Sequence, residues 1–319
     1  MTVGRPNPLS DCQRWPRAPT AECMVTESEQ GRRSVPVERH VAPIESALGA
    51  NIAIVRRLAS WKNGTFLVSV DDEQCVLKLH VNRGLDELGA IRRACEMAQL
   101  AGWPTPSWKG LGIASEDVAW SLQEFVVGAN LHVLTEGGAR AVIAANERQA
   151  GLAKLVPSSG TTLVDRTYVI EGMMVQDQYG NLERLSNFSP AGLRLVEVLR
   201  ERVLPLPNLQ RHDLVHGDYN QDNILLGSGR VTAFVDTDEL GTGTRYFDLV
   251  DLFERSYQNN DPPAGYVLVR KTVVDGIGEQ GFWACLATTA IGKMNWFREK
   301  MPDRLPGRIA RLQRLLDEG

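Results

Sequence analysis

The stretch LVHGDYNQDNILLGSGRVTAFVDTDEL, residues 214–240, sets a histidine, an asparagine and several carboxylates between short apolar runs. Two segments within it, NILLG at 223–227 and RVTAFVD at 230–236, have the length and composition of strands. Gly227, Ser228 and Gly229 lie between them and suit a tight hairpin turn. A hairpin brings the residues before its first strand beside those after its second. Asp218 and Asn223 therefore arrive on one loop and Asp236 on the other. Two carboxylates and an amide oxygen that converge in this way form a hard-oxygen site. Such a site suits Mg2+, which binds through one or two carboxylates plus substrate phosphates. Zinc would need His or Cys ligands, and His216 alone is near in sequence.

Working outward, IAIVRRLA (52–59), GTFLVSV (64–70) and QCVLKLH (74–80) read as strands, with Asp71–Asp72 as the turn between the last two. VERHVAPIESALG (37–49) and LDELGAIRRACEMAQLAG (85–102) have helical spacing and stop at Gly49 and Gly102. VAWSLQEFVVG (118–128) reads as one more strand running into a loop at Gly128. Beyond it the pattern turns helical over 131–156, 189–204, 246–258, 262–275, 280–299 and 306–317. Residues 158–187 show no clear period and read as irregular or as a short hairpin. Residues 1–35 hold scattered Pro, Arg, Ser and Gly with no apolar period and read as a poorly ordered tail. The expected organisation is a tail at 1–35, a small β-rich lobe at 36–127 and a larger, mostly helical lobe at 128–319, hinged at 124–128.

Composition narrows the function classes. The formal net charge is −4, whereas a dedicated nucleic-acid binder usually carries a basic excess. The five cysteines are an odd count, lie far apart and form no CxxC pair, which points to thiols in a reducing compartment. No run of eighteen apolar residues suggests a membrane span, and the N-terminus has no apolar core of a signal peptide. The cytoplasm is the expected location. The other histidines, His40, His80, His132 and His212, have no ligand spacing and read as structural.

His216, Asp218, Asn223 and Asp236 follow the phosphoryl-transfer pattern H-x-D-x-x-x-x-N with a later metal-binding Asp. HGDYNQDNILL resembles the catalytic loop of the aminoglycoside phosphotransferase family, the antibiotic kinases built on the protein-kinase fold. VDTDELGTG resembles that family's strand-end Asp segment, and YFDLVDL its following helix start. The resemblance is strongest over 214–252 and extends over 50–128. It implies an α+β, bilobal protein-kinase-like fold whose small lobe binds nucleotide and whose large lobe carries catalysis and the acceptor. Asp218 would be the base and His216 would brace its loop. Asn223 and Asp236 would hold Mg2+, and Asp248 would hydrogen-bond the loop from a helix start. Lys78 in CVLKL would reach the α/β-phosphates of ATP, with Glu87 as its helix partner. LQEFVVG would meet adenine through the Glu124 carbonyl and the Val126 N–H. The loop SWKNGTF (60–66), with Asn63, would cover the phosphates. Asp238 is placed as an acid supporting the metal position or contacting it.

Gly217 stands where protein kinases carry the Arg that docks a phosphorylated activation loop, VDT replaces D-F-G, and no A-P-E follows. A constitutively competent small-molecule kinase is therefore expected. Asp165, Glu171, Asp177 and Glu183, with Glu239, Asp251 and Glu254, would line an acidic pocket for a cationic acceptor. That acceptor would be an antibiotic, an aminoglycoside or a cationic cyclic peptide. Two alternatives stay open: a housekeeping kinase of choline, homoserine or a sugar, and a catalytically silent kinase fold acting as a binding module.

Overall fold

A computed structural model describes residues 36–58, 64–156, 163–177 and 180–318 of the chain. The expected tail at 1–35 and Asn63 lie outside the described residues. The chain enters through α1 (Glu38–Leu48), which ends at Gly49 in the left-handed region.

A five-stranded antiparallel sheet follows, built from β1 (Ile52–Arg57), β2 (Thr65–Val70), β3 (Glu73–Val81), β4 (Trp108–Ser115) and β5 (Val118–Glu124). Its order is β1-β2-β3-β5-β4. Asp71 and Asp72 both take positive φ, 45° and 69°, the geometry that a two-residue hairpin turn needs to match strand twist. α2 (Leu85–Leu100) joins β3 to β4 and buries Leu88, Ile91, Ala94 and Cys95. Strand β4 is not among the expected strands. Its core WKGLG carries glycines where a strand usually shows β-branched residues. Those glycines are required by packing: a Cβ at Gly110 or Gly112 would lie 2.8 Å from ring atoms of Trp120 on β5.

The second half is mostly helical. β6 (Ala129–Asn130) leads into α3 (Glu136–Asn146), whose N-terminus Thr135 caps through its side chain. The single helix expected over 131–156 is thus shorter. Thr135 starts it late, and Gly151, at φ 72°, separates two short 3-10 turns that follow it. The unassigned stretch after it holds β7 (Val164–Asp165), α4 (Arg166–Met174) and α5 (Asn181–Ser186). Asp165 caps α4 through Thr167 and Tyr168 N–H, and Asp177 reaches the Leu182 and Glu183 N–H groups of α5. These helices are nine and six residues long, too short for a periodic signal.

α6 (Pro190–Val203) precedes β8 (Asp213–Val215), the hairpin β9 (Ile224–Gly227) and β10 (Arg230–Phe234), and β11 (Gly241–Gly243). β9 pairs with both β10 and β6, and β11 lies between β7 and β8. α7 (Tyr246–Asn259), α8 (Pro263–Lys300, interrupted at Gly278) and α9 (Leu305–Glu318) complete the fold. The core centres on α7 and the second half of α8, where Phe282 through Ile291 are all buried. α9 docks through Leu305, Ile309, Leu312, Leu315 and Leu316. Among the described residues no helix is long and apolar enough to cross a membrane. An antiparallel sheet followed by a mostly helical region is the kinase-like α+β arrangement.

Candidate active site

The loop between β8 and β9 carries His216, Asp218 and Asn223. Its shape is set from behind. Asp248, in the first turn of α7, is fully buried. Its Oδ2 accepts the His216 N–H at 2.8 Å and its Oδ1 the Gly217 N–H at 2.9 Å. The Gln149 side-chain amide donates to the same Oδ2 at 2.8 Å and to the Leu214 carbonyl at 3.0 Å. Burial pushes the Asp248 carboxyl up from its ordinary value, against the pull of His216 and these donors. Gly217 has φ 84°, and a side chain there would run into the Glu239 carbonyl and the Arg166 guanidinium. Glycine is the residue that accepts both the conformation and the close approach.

His216 is fully buried among Trp103, Tyr219 and Phe234. Its Nε2 lies 3.0 Å from the Val235 carbonyl and its Nδ1 accepts the Asp218 N–H at 3.3 Å. A carbonyl can only accept, so Nε2 carries the hydrogen. His216 thus ties the loop to the end of β10 from beneath.

Asp218 and Asn223 meet directly. Asn223 donates its side-chain amide to the Asp218 carbonyl at 3.1 Å and to Asp218 Oδ2 at 3.0 Å. Asn220 donates to the same Oδ2 at 3.0 Å, while its own Oδ1 caps the next turn through Asp222 and Asn223 N–H. The two donors orient one carboxylate oxygen of Asp218. The Val235 N–H donates to the Asn223 carbonyl at 2.9 Å, which brings the second loop alongside the first.

Asp236 follows, with φ 60°, a left-handed conformation that Asp tolerates better than most residues. Its Oδ1 lies 2.6 Å from Lys78 Nζ. Lys78 is only 7% exposed on β3, and Asp238 Oδ1 is 3.4 Å from the same ammonium. Burial works against that charge, but Asp238 and Asp236 outweigh it, so the Lys78 pKa is raised. In register Lys78 lies opposite Thr65 at the start of β2.

The expected pairing of Lys78 with Glu87 is not formed. Glu87 pairs with Arg83 at 2.7 Å, one turn away on an exposed flank, and Glu96 pairs with Arg92 at 2.7 Å. The residues that α2 buries, Leu88, Ala90, Ile91, Ala94, Cys95 and Ala98, include no acid. Glu124 ends β5 and binds Ser107 Oγ through its side chain at 2.7 Å, and Val126 lies half-buried in the link to β6.

The acids expected to line an open anionic pocket are largely engaged. Asp251 and Glu254 are buried against Lys293 at 2.5 and 2.9 Å, and Arg308 reaches Glu254 at 3.1 Å. Arg211 pairs with Asp165 and Glu171, and Arg166 with Glu239. Asp177 is spent on capping α5. Sequence shows the acids; which cations face them depends on helix packing. Gln149 and Arg83 carry no motif signal, and their parts in the site come only from the fold.

Comparison with known proteins agrees with this fold. No curated protein sequence matches the chain. Among solved structures, a thermostable mutant of aminoglycoside phosphotransferase APH(4)-Ia in ternary complex with ADP and hygromycin B superposes with a TM-score of 0.67 at 15% identity, covering 88% of this chain and 98% of that one. The amicoumacin kinase hAmiN, in complex with AMP-PNP, Ca2+ and Ami, gives 0.63 at 12% identity, covering 92% and 96%. An aminoglycoside-3'-phosphotransferase of type VIII gives 0.52 at 21% identity, covering 78% and 99%. At these identities the likeness shows the fold. The phosphotransferase enzyme family (APH) matches residues 54–272, a span that holds Lys78, the catalytic loop and the Asp236 segment. The chain belongs to that family and is a phosphotransferase that acts on hydroxyl groups of small molecules.

Proposed function

We propose that the protein transfers the γ-phosphoryl group of ATP to a hydroxyl of an antibiotic, an aminoglycoside or a cationic cyclic peptide, and so inactivates it. The observation that carries the kinase reading is the meeting of Asp218 with Asn223 on one loop and of Asp236 with Lys78 beside it. The antibiotic reading draws on the neighbours that hold hygromycin B and Ami.

Asp218 orients the acceptor hydroxyl and takes its proton as the hydroxyl oxygen bonds to the γ-phosphorus. The bond from that phosphorus to the bridging oxygen breaks, and ADP leaves with the electron pair. Lys78 supplies positive charge at the α/β-phosphates. Glu124 and Val126 meet adenine through backbone groups. The oxygen donors of Asp236 and Asn223 fit Mg2+, which would neutralise phosphate charge when bound. Positioning and charge neutralisation are most of what phosphoryl transfer requires.

The engagement of Asp251, Glu254, Asp165 and Glu171 by cationic side chains favours a second reading with the same machinery. With those acids paired, the acceptor is a metabolite of low positive charge, such as a sugar. Mass spectrometry after incubation with Mg·ATP separates the two. The panel holds aminoglycosides, cyclic peptides, macrolides, choline, homoserine and sugars. A phosphoryl gain on an antibiotic supports the first reading; a gain on a metabolite alone replaces it. Nucleotide bound with no transfer to any acceptor favours a silent kinase fold.

Lys78→Ala is expected to reduce kcat/KM for ATP by about 10–100-fold, the loss of a charge-assisted contact worth about 1.5–3 kcal/mol. Steady-state kinetics in ATP checks this, and unchanged kinetics would remove Lys78 from the site.

A further inference from the structure

The phosphate-binding lysine lacks the helix acid that a kinase-like site normally gives it, and a different carboxylate stands in its place. Asp238 lies in the short turn after Asp236 and is 7% exposed. Its Oδ1 is 3.4 Å from Lys78 Nζ, and its Oδ2 is 3.7 Å from Arg83 Nη1 and 3.9 Å from His80 Nδ1. Arg83 also donates to the Asp238 carbonyl at 2.6 Å, so side chain and backbone of one residue are both gripped. His80 donates or accepts at Ser121 Oγ across β5, at 2.9 Å. Burial holds His80 down to about 4, so near neutral pH it is uncharged and the cations facing Asp238 are Lys78 and Arg83. The face of α2 toward this turn carries Cys95, whose thiol burial pushes up to about 11 and keeps neutral.

We infer that Asp238 is the positioning residue for Lys78, a role that the metal-bearing loop performs here in place of the small-lobe helix. Asp236 also contacts Lys78, but its carboxylate is the one assigned to Mg2+ under the proposed function, on which this inference rests. Asp238 is the carboxylate left to hold the lysine. Lys78 and Asp238 stand 160 residues apart, so their contact locks β3 onto the turn that follows β10. The lysine is then placed by that packing, without a helix that must swing in. This agrees with a chain that carries no activation-loop docking Arg at Gly217.

The test is ADP affinity by calorimetry, in EDTA and in Mg2+, for wild type, Lys78→Ala, Asp238→Asn, the double variant and Glu87→Gln. Lys78→Ala and Asp238→Asn are each expected to weaken binding about tenfold, or 1.4 kcal/mol. The double variant should bind no worse than Lys78→Ala, because Asp238 acts through Lys78. The Asp238 loss should persist in EDTA, and Glu87→Gln should cost far less. A loss seen only with Mg2+ would make Asp238 a metal ligand and overturn the inference. Full additivity with Lys78→Ala, or a Glu87→Gln loss as large, would overturn it too. If Asp238→Asn does not fold by circular dichroism, Asp238→Glu, with the carboxylate displaced by one methylene, should show a smaller loss of the same kind; wild-type affinity there counts against the inference. Wild type that binds no nucleotide defeats the kinase reading itself, whereas normal binding with an unaffected Asp238→Asn defeats this inference alone.

Discussion

Asp218→Asn is expected to lower kcat by about 10²–10⁴ while nucleotide affinity is largely kept, the usual scale for removing a general base. The local hydrogen bonds explain why the fold should tolerate it. Asp218 Oδ2 accepts from Asn220 and Asn223, each at 3.0 Å. An asparagine can keep that arrangement by turning its carbonyl oxygen toward both donors. Its amide then occupies the position of Oδ1, a donor where the acceptor hydroxyl needs an oxygen. The change removes proton acceptance and leaves the loop in place. Turnover in single-turnover assays, set beside Mg·AMP-PNP affinity, separates the two effects. Equal turnover in the variant would sink the assignment of Asp218 as base.

Asp248→Ala should produce the largest loss of stability among the site residues. Three buried donors, the His216 and Gly217 N–H groups and the Gln149 amide, would lose their acceptor together. Leaving a buried donor unsatisfied costs about 1–3 kcal/mol, so the total is about 3 kcal/mol or more. For a chain of 319 residues that corresponds to a fall in Tm of about 5 °C or more. Gln149 also accepts from Tyr219 Oη at 2.6 Å and from the Asn146 amide at 2.8 Å, so the disturbance should spread through the floor of the loop. Activity should fall with stability, because His216 and Gly217 set the path of the chain into Asp218. Thermal unfolding followed by circular dichroism checks the prediction. A Tm within about 2 °C of wild type would mean that water or a shifted side chain replaces the carboxylate.

The two variants probe different kinds of residue, and the difference matches what each owes to sequence and to fold. Asp218, Asn223 and Asp236 flank a hairpin whose turn, Gly227-Ser228-Gly229, is visible in the chain itself. Their convergence is a local consequence of strand pairing, so spacing alone reveals it. Asp248 was implied by the resemblance of YFDLVDL to the family's helix start, and it lies in the first turn of α7. Lys78 stood out as the lysine within an apolar strand. Strand β4 carries no local strand signal, because its glycines answer to Trp120 on the neighbouring strand. The helices α4 and α5 are too short to show a period, and their caps, Asp165 and Asp177, lie among the acids expected to line an acceptor pocket.

By itself, then, the sequence determined how the residues flanking one hairpin converge, because that depends on pairing between neighbouring strands, and its resemblance to the aminoglycoside phosphotransferases implied the kinase-like fold. Only the tertiary structure decided which carboxylate faces Lys78 and which cations occupy the acids of α7. Those pairs join residues about 40 to 160 positions apart. Their partners are chosen by how the sheet and the helices pack, and a charge buried in that packing takes whichever opposite charge the packing delivers.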